Sequence, residues 1–249
     1  MSWKAKVNSL LLVIDVGAGT SDFSMFRVTF DPATEESSSR EIKGSKRAIL
    51  EAGNHLDKLL TEYILMKAEV TSDDPRNRRI RGALILEIRG FKEALFRQGD
   101  VVVPLLGGEK SVDVELNEFL QLEPVQRFSQ ALHETMIEIL KTIDPAWLRS
   151  APFNGIGIVL TGGGAELPMV QELAMGNTLV QGTQLTIKKT PRFPAWLEEE
   201  HYGLEEEYPR IAVSLGGARQ QYITNFGSSD TTGERYATVT LGGYYMKGN

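Results

Sequence analysis

Residues 10–30, LLLVIDVGAGTSDFSMFRVTF, constrain the fold more than any other stretch of the chain. An apolar run ends in Asp15, a glycine-rich turn follows, and Phe26, Val28 and Phe30 then alternate with Arg27 and Thr29. Alternation at period two marks a half-buried strand, so the turn joins two strands rather than a strand and a helix. Gly17-Ala18-Gly19-Thr20-Ser21-Asp22 begins like a dinucleotide fingerprint but lacks the third glycine and the helix that should follow. What remains is a hairpin whose tip can bring backbone N–H groups close to an anion, because glycine has no Cβ to block the approach. Asp15 and Asp22 flank that tip and are placed to hold a hydrated divalent cation beside a phosphate. An ordinary glycine-containing hairpin turn would use the same residues, so at this point both readings stand.

The chain has 249 residues, enough for one sizeable domain or two small lobes. A net charge of −6 argues against a general nucleic-acid surface. Part of that excess is the group Glu198, Glu199, Glu200, Glu205, Glu206 and Glu207, which reads as a solvated acidic insertion. With no cysteine there can be no disulfide, thiol nucleophile or thiolate-bound metal. His55, His133 and His201 lack ligand-like spacing, which argues against zinc. Apolar runs stay below the roughly 18 to 20 residues of a membrane span, and residues 1–9 are too polar for a secretory signal. The expectation is a soluble, cytoplasmic protein with no nucleic-acid or membrane partner.

Strands are expected at residues 10–16, 22–30 and about 40–50, with residues 31–39 as a hairpin loop. Gly53-Asn54 opens a helix to about Lys67, and the polar break at 71–79 marks a lobe boundary. Residues 81–97 read as a helix, followed by a hairpin of 101–106 and 111–116 turning at Gly107-Gly108. Lys110-Ser111 imitates the end of a phosphate-binding P-loop, but the rest of that motif is missing. A helical stretch at 117–143 should split at Glu123-Pro124, because proline suits a first turn better than an interior. Residues 155–161 form an apolar strand that runs into Gly162-Gly163-Gly164, with a helix at 167–173 and a short strand at 184–188 beyond it. A final helix is expected at 210–224, and residues 236–241 of the tail have the pattern of an edge strand. Two glycine turns after apolar strands, in mixed α/β order, imply a sheet whose strand ends converge on a ligand.

These residues also carry a family likeness. VIDVGAGTSDFSMF resembles the second phosphate motif of the actin-like ATPase superfamily, in its DnaK-type heat-shock chaperone branch. AGNHLDKLL is similar to the glycine-plus-aspartate helix start that follows it, RGFKEALF to the helix bordering the adenosine pocket, and IVLTGGGAELPMVQEL to the adenosine motif. YPRIAVSLGGA resembles the helix that closes the lobe. The resemblance covers about residues 10–224 and is to the second lobe only. It implies an α/β, ribonuclease-H-like lobe with a mixed sheet flanked by helices. That lobe would be discontinuous, over 1–70 and 150–226, with a smaller α+β subdomain inserted at 71–149 and a tail at 227–249.

By position, the resemblance assigns phosphate contacts to Gly17, Ala18, Gly19, Thr20, Gly53 and Asn54. It assigns adenosine contacts to Gly162, Gly163, Gly164, Arg89, Lys92 and Glu93, and Mg2+ contact through water to Asp15 and Asp22. The clamp around adenine departs from the family pattern: Glu166 stands where an arginine is expected and Arg210 where an aspartate is expected. A carboxylate in place of guanidinium removes the planar cation that can stack on a purine. The implied ligand is ATP or ADP with Mg2+, and the implied partners are a first ATPase lobe and a protein client or co-chaperone. On this reading the chain alone hydrolyses ATP negligibly. The alternatives are a degenerate, non-hydrolysing nucleotide-binding or assembly module of the actin-like fold, as in division and pilus-type scaffolds, and, behind it, a sugar or acetate kinase.

Overall fold

The computed structural model describes residues 7–31, 33–34, 36–150, 155–191, 193, 197–198, 201 and 203–218. Strands β1 (Val7–Val16) and β2 (Ser21–Asp31) pair antiparallel, with Asp15 opposite Asp22 and Val16 opposite Ser21. β2 pairs on its other edge with β3 (Glu36–Glu41) and β4 (Arg47–Ile49). Helices α1 (Gly53–Lys67) and α2 (Asn77–Gln98) follow, then the separate hairpin β5 (Asp100–Leu105) and β6 (Lys110–Glu115). After α3 (Leu116–Leu120), α4 (Glu123–Lys141) and α5 (Pro145–Ser150), the chain returns to the main sheet as β7 (Gly155–Thr161). Helix α6 (Pro168–Leu173), the strands β8 (Asn177–Val180) and β9 (Thr183–Lys189), and helix α7 (Tyr208–Ala218) complete the described chain. The main sheet is mixed, in the order β3-β2-β1-β7-β9-β8; β7 runs parallel to β1 and to β9.

Alternation along β1 decides which face of the sheet is covered. Leu10, Leu12, Ile14 and Val16 are buried, as are Phe23 and Met25 of β2 and Ile156 and Ile158 of β7. They share one core with Leu56 and Leu60 of α1, Phe128, Leu132 and Met136 of α4, and Val170 of α6. Burial of a large aliphatic side chain contributes about 1.5–3 kcal/mol, so this stripe pins the register of β1. Val13, Asp15, Val159 and Thr161 belong to the opposite face, where α7 stands over the sheet and leaves a cavity of about 310 Å³.

The third strand differs from its expectation. Residues 36–41 pair with Phe26 to Asp31, so only residues 32–35 separate β2 from β3. Pairing then breaks and resumes at Arg47 opposite Phe23. In the gap, Ser45 Oγ accepts from the Met25 amide at 3.2 Å and donates to the Ile42 carbonyl at 2.6 Å, so a side chain stands in for the missing ladder bond. Three elements begin or appear outside the expected pattern: α2 starts at Asn77, inside the polar break, while α5 and β8 had no periodic signal. The split at Glu123-Pro124 is present, with the proline in the first turn of α4. Residues 219–224 of the expected final helix and the expected strand at 236–241 lie outside the described residues.

Candidate functional site

Parallel strands β1 and β7 end side by side, with Asp15 opposite Thr161, and each then enters its glycine turn. Two sequence-distant turns are thereby brought to the carboxyl edge of one sheet, where α/β proteins bind ligands. The hairpin tip closes through the Gly17 amide, which donates to the Thr20 carbonyl at 2.9 Å. Beside it lies the start of α1, whose N-cap residue is Ala52, a side chain with no acceptor. The hairpin supplies the acceptors instead: the Gly53 amide donates to the Gly17 carbonyl at 3.1 Å and the Asn54 amide to the Ala18 carbonyl at 2.7 Å. Ser21 Oγ, donating to the Glu51 carbonyl at 2.7 Å, holds the approach to the helix against β2.

Gly53 and Asn54 lie beside the tip, with their amides engaged by hairpin carbonyls. The groups left for an anion are the amides of Ala18, Gly19 and Thr20, which meet no protein acceptor among the described residues. Ala18 and Gly19 are exposed, and the space where a Gly19 Cβ would stand is empty.

The carboxylates border the same tip. Asp15 and Asp22 are cross-strand partners on one face, and Thr20 Oγ1 donates to Asp22 Oδ2 at 2.7 Å. Partial burial, then the neighbouring Asp22 charge, raise the Asp15 pKa above its ordinary value. A bound cation would relieve both effects. Among the described residues no group of three or more His, Cys, Asp or Glu side chains could hold a metal ion. Two carboxylates with water are the pattern by which Mg2+ is held beside phosphates, because that ion dehydrates reluctantly. The donor set fits a hydrated Mg2+ with phosphate and does not fit a dehydrated, all-protein metal site.

The second glycine turn is built by close approach. Gly162 has φ +83°, and a Cβ there would lie 2.4 Å from both Asp15 Oδ1 and the Val16 carbonyl. The Gly164 amide donates to the Val16 carbonyl at 2.8 Å, and a Gly164 Cβ would lie 2.5 Å from Val16 Cγ1. These glycines let the turn after β7 press against the end of β1, beside Asp15 and Val16. Gly163 is exposed and open. The Pro209 carbonyl at the start of α7 accepts from the Gly162 amide at 2.9 Å and from Thr161 Oγ1 at 3.0 Å.

Helix α2 supplies the third wall. Lys92 turns inward, donating to the Gly53 carbonyl at 2.9 Å and lying 2.7 Å from Asp57 Oδ1. Glu93 faces the other way: Arg89 Nε donates to it at 3.2 Å, and Arg210 Nη2 of α7 approaches it at 3.7 Å. Arg210 also approaches Glu207 at 3.4 Å. Lys110, the false P-loop lysine, donates to the Ala68 carbonyl beyond the end of α1. Sequence reading gave no role to Thr161 or the Pro209 carbonyl, and Asp57 entered it only as the aspartate of the AGNHLDKLL helix start, without its Lys92 partner. No protein-family model matches the chain, and no curated protein matches it either.

Proposed function

We propose that this chain is the second lobe of a DnaK-like chaperone-type ATPase with a ribonuclease-H-like fold, contributing phosphate and Mg2+ contacts to a nucleotide cleft that a first lobe completes. One observation carries the reading: the Gly17–Thr20 bend offers three uncommitted amides beside two carboxylates, at the carboxyl ends of two parallel strands. The mixed sheet flanked by helices is compatible with such a lobe. Mg2+ supplies charge neutralisation for a transferring phosphoryl group. The Ala18, Gly19 and Thr20 amides would hold phosphate oxygens, and Asp15 and Asp22 would hold the hydrated metal beside them. A general base comes from the completing lobe, and lobe closure carries the nucleotide state to a protein client or co-chaperone. A soluble, cytoplasmic setting goes with this reading; no helix among the described residues is long and apolar enough to cross a membrane.

A second reading, a non-hydrolysing nucleotide-binding or assembly module, is favoured by the side chains in the adenosine roles. Lys92 is committed to Asp57 and Gly53, and Glu93 to Arg89 and Arg210. Calorimetry of this chain with Mg2+ and pyrophosphate, repeated with chelator, tests the phosphate site common to both readings. Metal-dependent heat supports it, and silence at millimolar ligand overturns it. Turnover assays then separate the roles: rapid ATP hydrolysis by this chain alone is incompatible with a half-site.

A further inference from the structure

We propose that Lys92 is a phosphate ligand of this site, its ammonium donating to an oxygen of the Mg2+-bound anion held by the Ala18, Gly19 and Thr20 amides. The proposal rests on the phosphate reading of the hairpin given above and adds a protein cation to it. By resemblance Lys92 is an adenosine contact; the fold turns it toward the start of α1 and the hairpin tip instead. Pyrophosphate and the phosphates of a nucleotide both present the oxygen it would take.

Gly53 fixes where the ammonium stands. Lys92 donates to the Gly53 carbonyl at 2.9 Å, and the Gly53 amide donates to the Gly17 carbonyl at 3.1 Å. A Cβ on Gly53 would lie 3.5 Å from Lys92 Nζ, 3.3 Å from the Gly17 carbonyl oxygen and 3.5 Å from the Ala18 Cα. The ammonium and the tip thus face each other across a residue without a side chain. Ala18 begins the row of three amides that meet no protein acceptor among the described residues.

An ammonium carries three donors. The Gly53 carbonyl takes one. Asp57 Oδ1 lies 2.7 Å from Lys92 Nζ, yet this buried oxygen accepts no hydrogen bond, so the pair is a charge contact out of line with an N–H. Donor capacity is therefore left over on a side chain that is only 13% exposed, where a charge-assisted hydrogen bond is strong. Charge balance calls for it as well. Asp15 and Asp22, both ionised, offset a single Mg2+, and the anion on the amides keeps its own negative charge. A lysine meets that charge as a compact cation.

Calorimetric affinity of the full chain for Mg-pyrophosphate tests this. Lys92→Gln combined with Asp57→Asn keeps a donor for the Gly53 carbonyl and leaves the net charge unchanged, so the cation goes while the tip stays supported. Affinity should still fall about ten- to a hundred-fold, the worth of a hydrogen bond to a charged group. Lys92→Met with Asp57→Leu repeats the test should the amide pair fail to fold. Lys58→Gln is the control: it removes one positive charge from an exposed position of α1 next to Asp57 and should cost about two-fold or less. Double-variant affinity within about two-fold of the parent overturns Lys92 as a ligand and leaves the amide site standing. A Lys58→Gln loss as large as that of the double variant overturns it too, since the effect is then one of overall charge. If the unmodified chain does not bind Mg-pyrophosphate, the phosphate reading falls and this proposal with it.

Discussion

The Lys92 ammonium lies 2.7 Å from Asp57 Oδ1 and donates at 2.9 Å to the Gly53 carbonyl, so one side chain of α2 grips two successive turns at the start of α1. Both members of the pair are nearly buried, at 13% and 16% side-chain exposure. Since the Gly53 and Asn54 amides hold the Gly17 and Ala18 carbonyls, the grip extends to the hairpin tip. α2, α1 and the bend thus form one block.

Lys92→Met should destabilise the protein by about 3 kcal/mol, because it leaves the Asp57 carboxylate shielded from water without its cation. Urea unfolding measures the loss. Adding Asp57→Leu to the same chain should recover much of it, since removing both charges leaves neither one stranded. If the double variant is as unstable as the sum of the singles, the pair is not the cause.

Gly162→Ala should destabilise by about 1–3 kcal/mol or more, from the positive φ and from a methyl group forced against Asp15 and the Val16 carbonyl. Gly163→Ala serves as the internal control, because its Cβ would stand in open space. Thermal unfolding should separate the two variants clearly, and equal melting temperatures would contradict the close approach of the turn after β7 to the end of β1.

How much of this was legible in the sequence depended on the range of the interaction. The β1–β2 hairpin, α1, the β5–β6 hairpin and the proline break before α4 are local, set by alternation, apolar stripes and turn residues within one window. β3 was hidden because its residues, ESSSRE, carry no apolar alternation; edge pairing with β2 makes it a strand. The candidate site was half visible. Glycines and aspartates around the bend announce themselves, but capping of α1 by hairpin carbonyls does not, since the caps come from backbone distant in sequence. Asp57 is visible as the aspartate of the AGNHLDKLL helix start, but its pairing with Lys92, 35 residues further on, is not.

Thr20→Val tests the wiring of the tip. It removes the hydroxyl that donates to Asp22 Oδ2 at 2.7 Å, at an exposed position. Stability should change by less than about 0.5 kcal/mol, as for most surface substitutions. Affinity for Mg-pyrophosphate should nevertheless fall by about five- to ten-fold, the worth of one charge-assisted hydrogen bond that holds the carboxylate in place. Thr20→Ser should retain most of the affinity. Equal binding by the valine and serine variants would remove Thr20 from the site.

Asp15 couples stability to pH in a direction that identifies it. Partial burial and the facing Asp22 charge raise its folded pKa above the ordinary value of 3.8, so the folded chain holds that proton more tightly than the unfolded chain. The contribution favours folding in acid and is lost as pH rises through the raised folded value, leaving a charged Asp15 that opposes folding at neutral pH. Asp15→Asn should therefore raise the melting temperature at pH 7, and the gain should shrink toward zero as pH falls below 3.8. The same variant should weaken metal-dependent phosphate binding, since one of the two carboxylates at the tip is gone. Added Mg2+ with pyrophosphate should close the stability gap from the other side, by stabilising the unmodified protein at neutral pH and the asparagine variant little. A variant that is less stable than the parent at pH 7, or equally stabilised by the metal and anion, would show that Asp15 serves the hairpin alone and not a ligand.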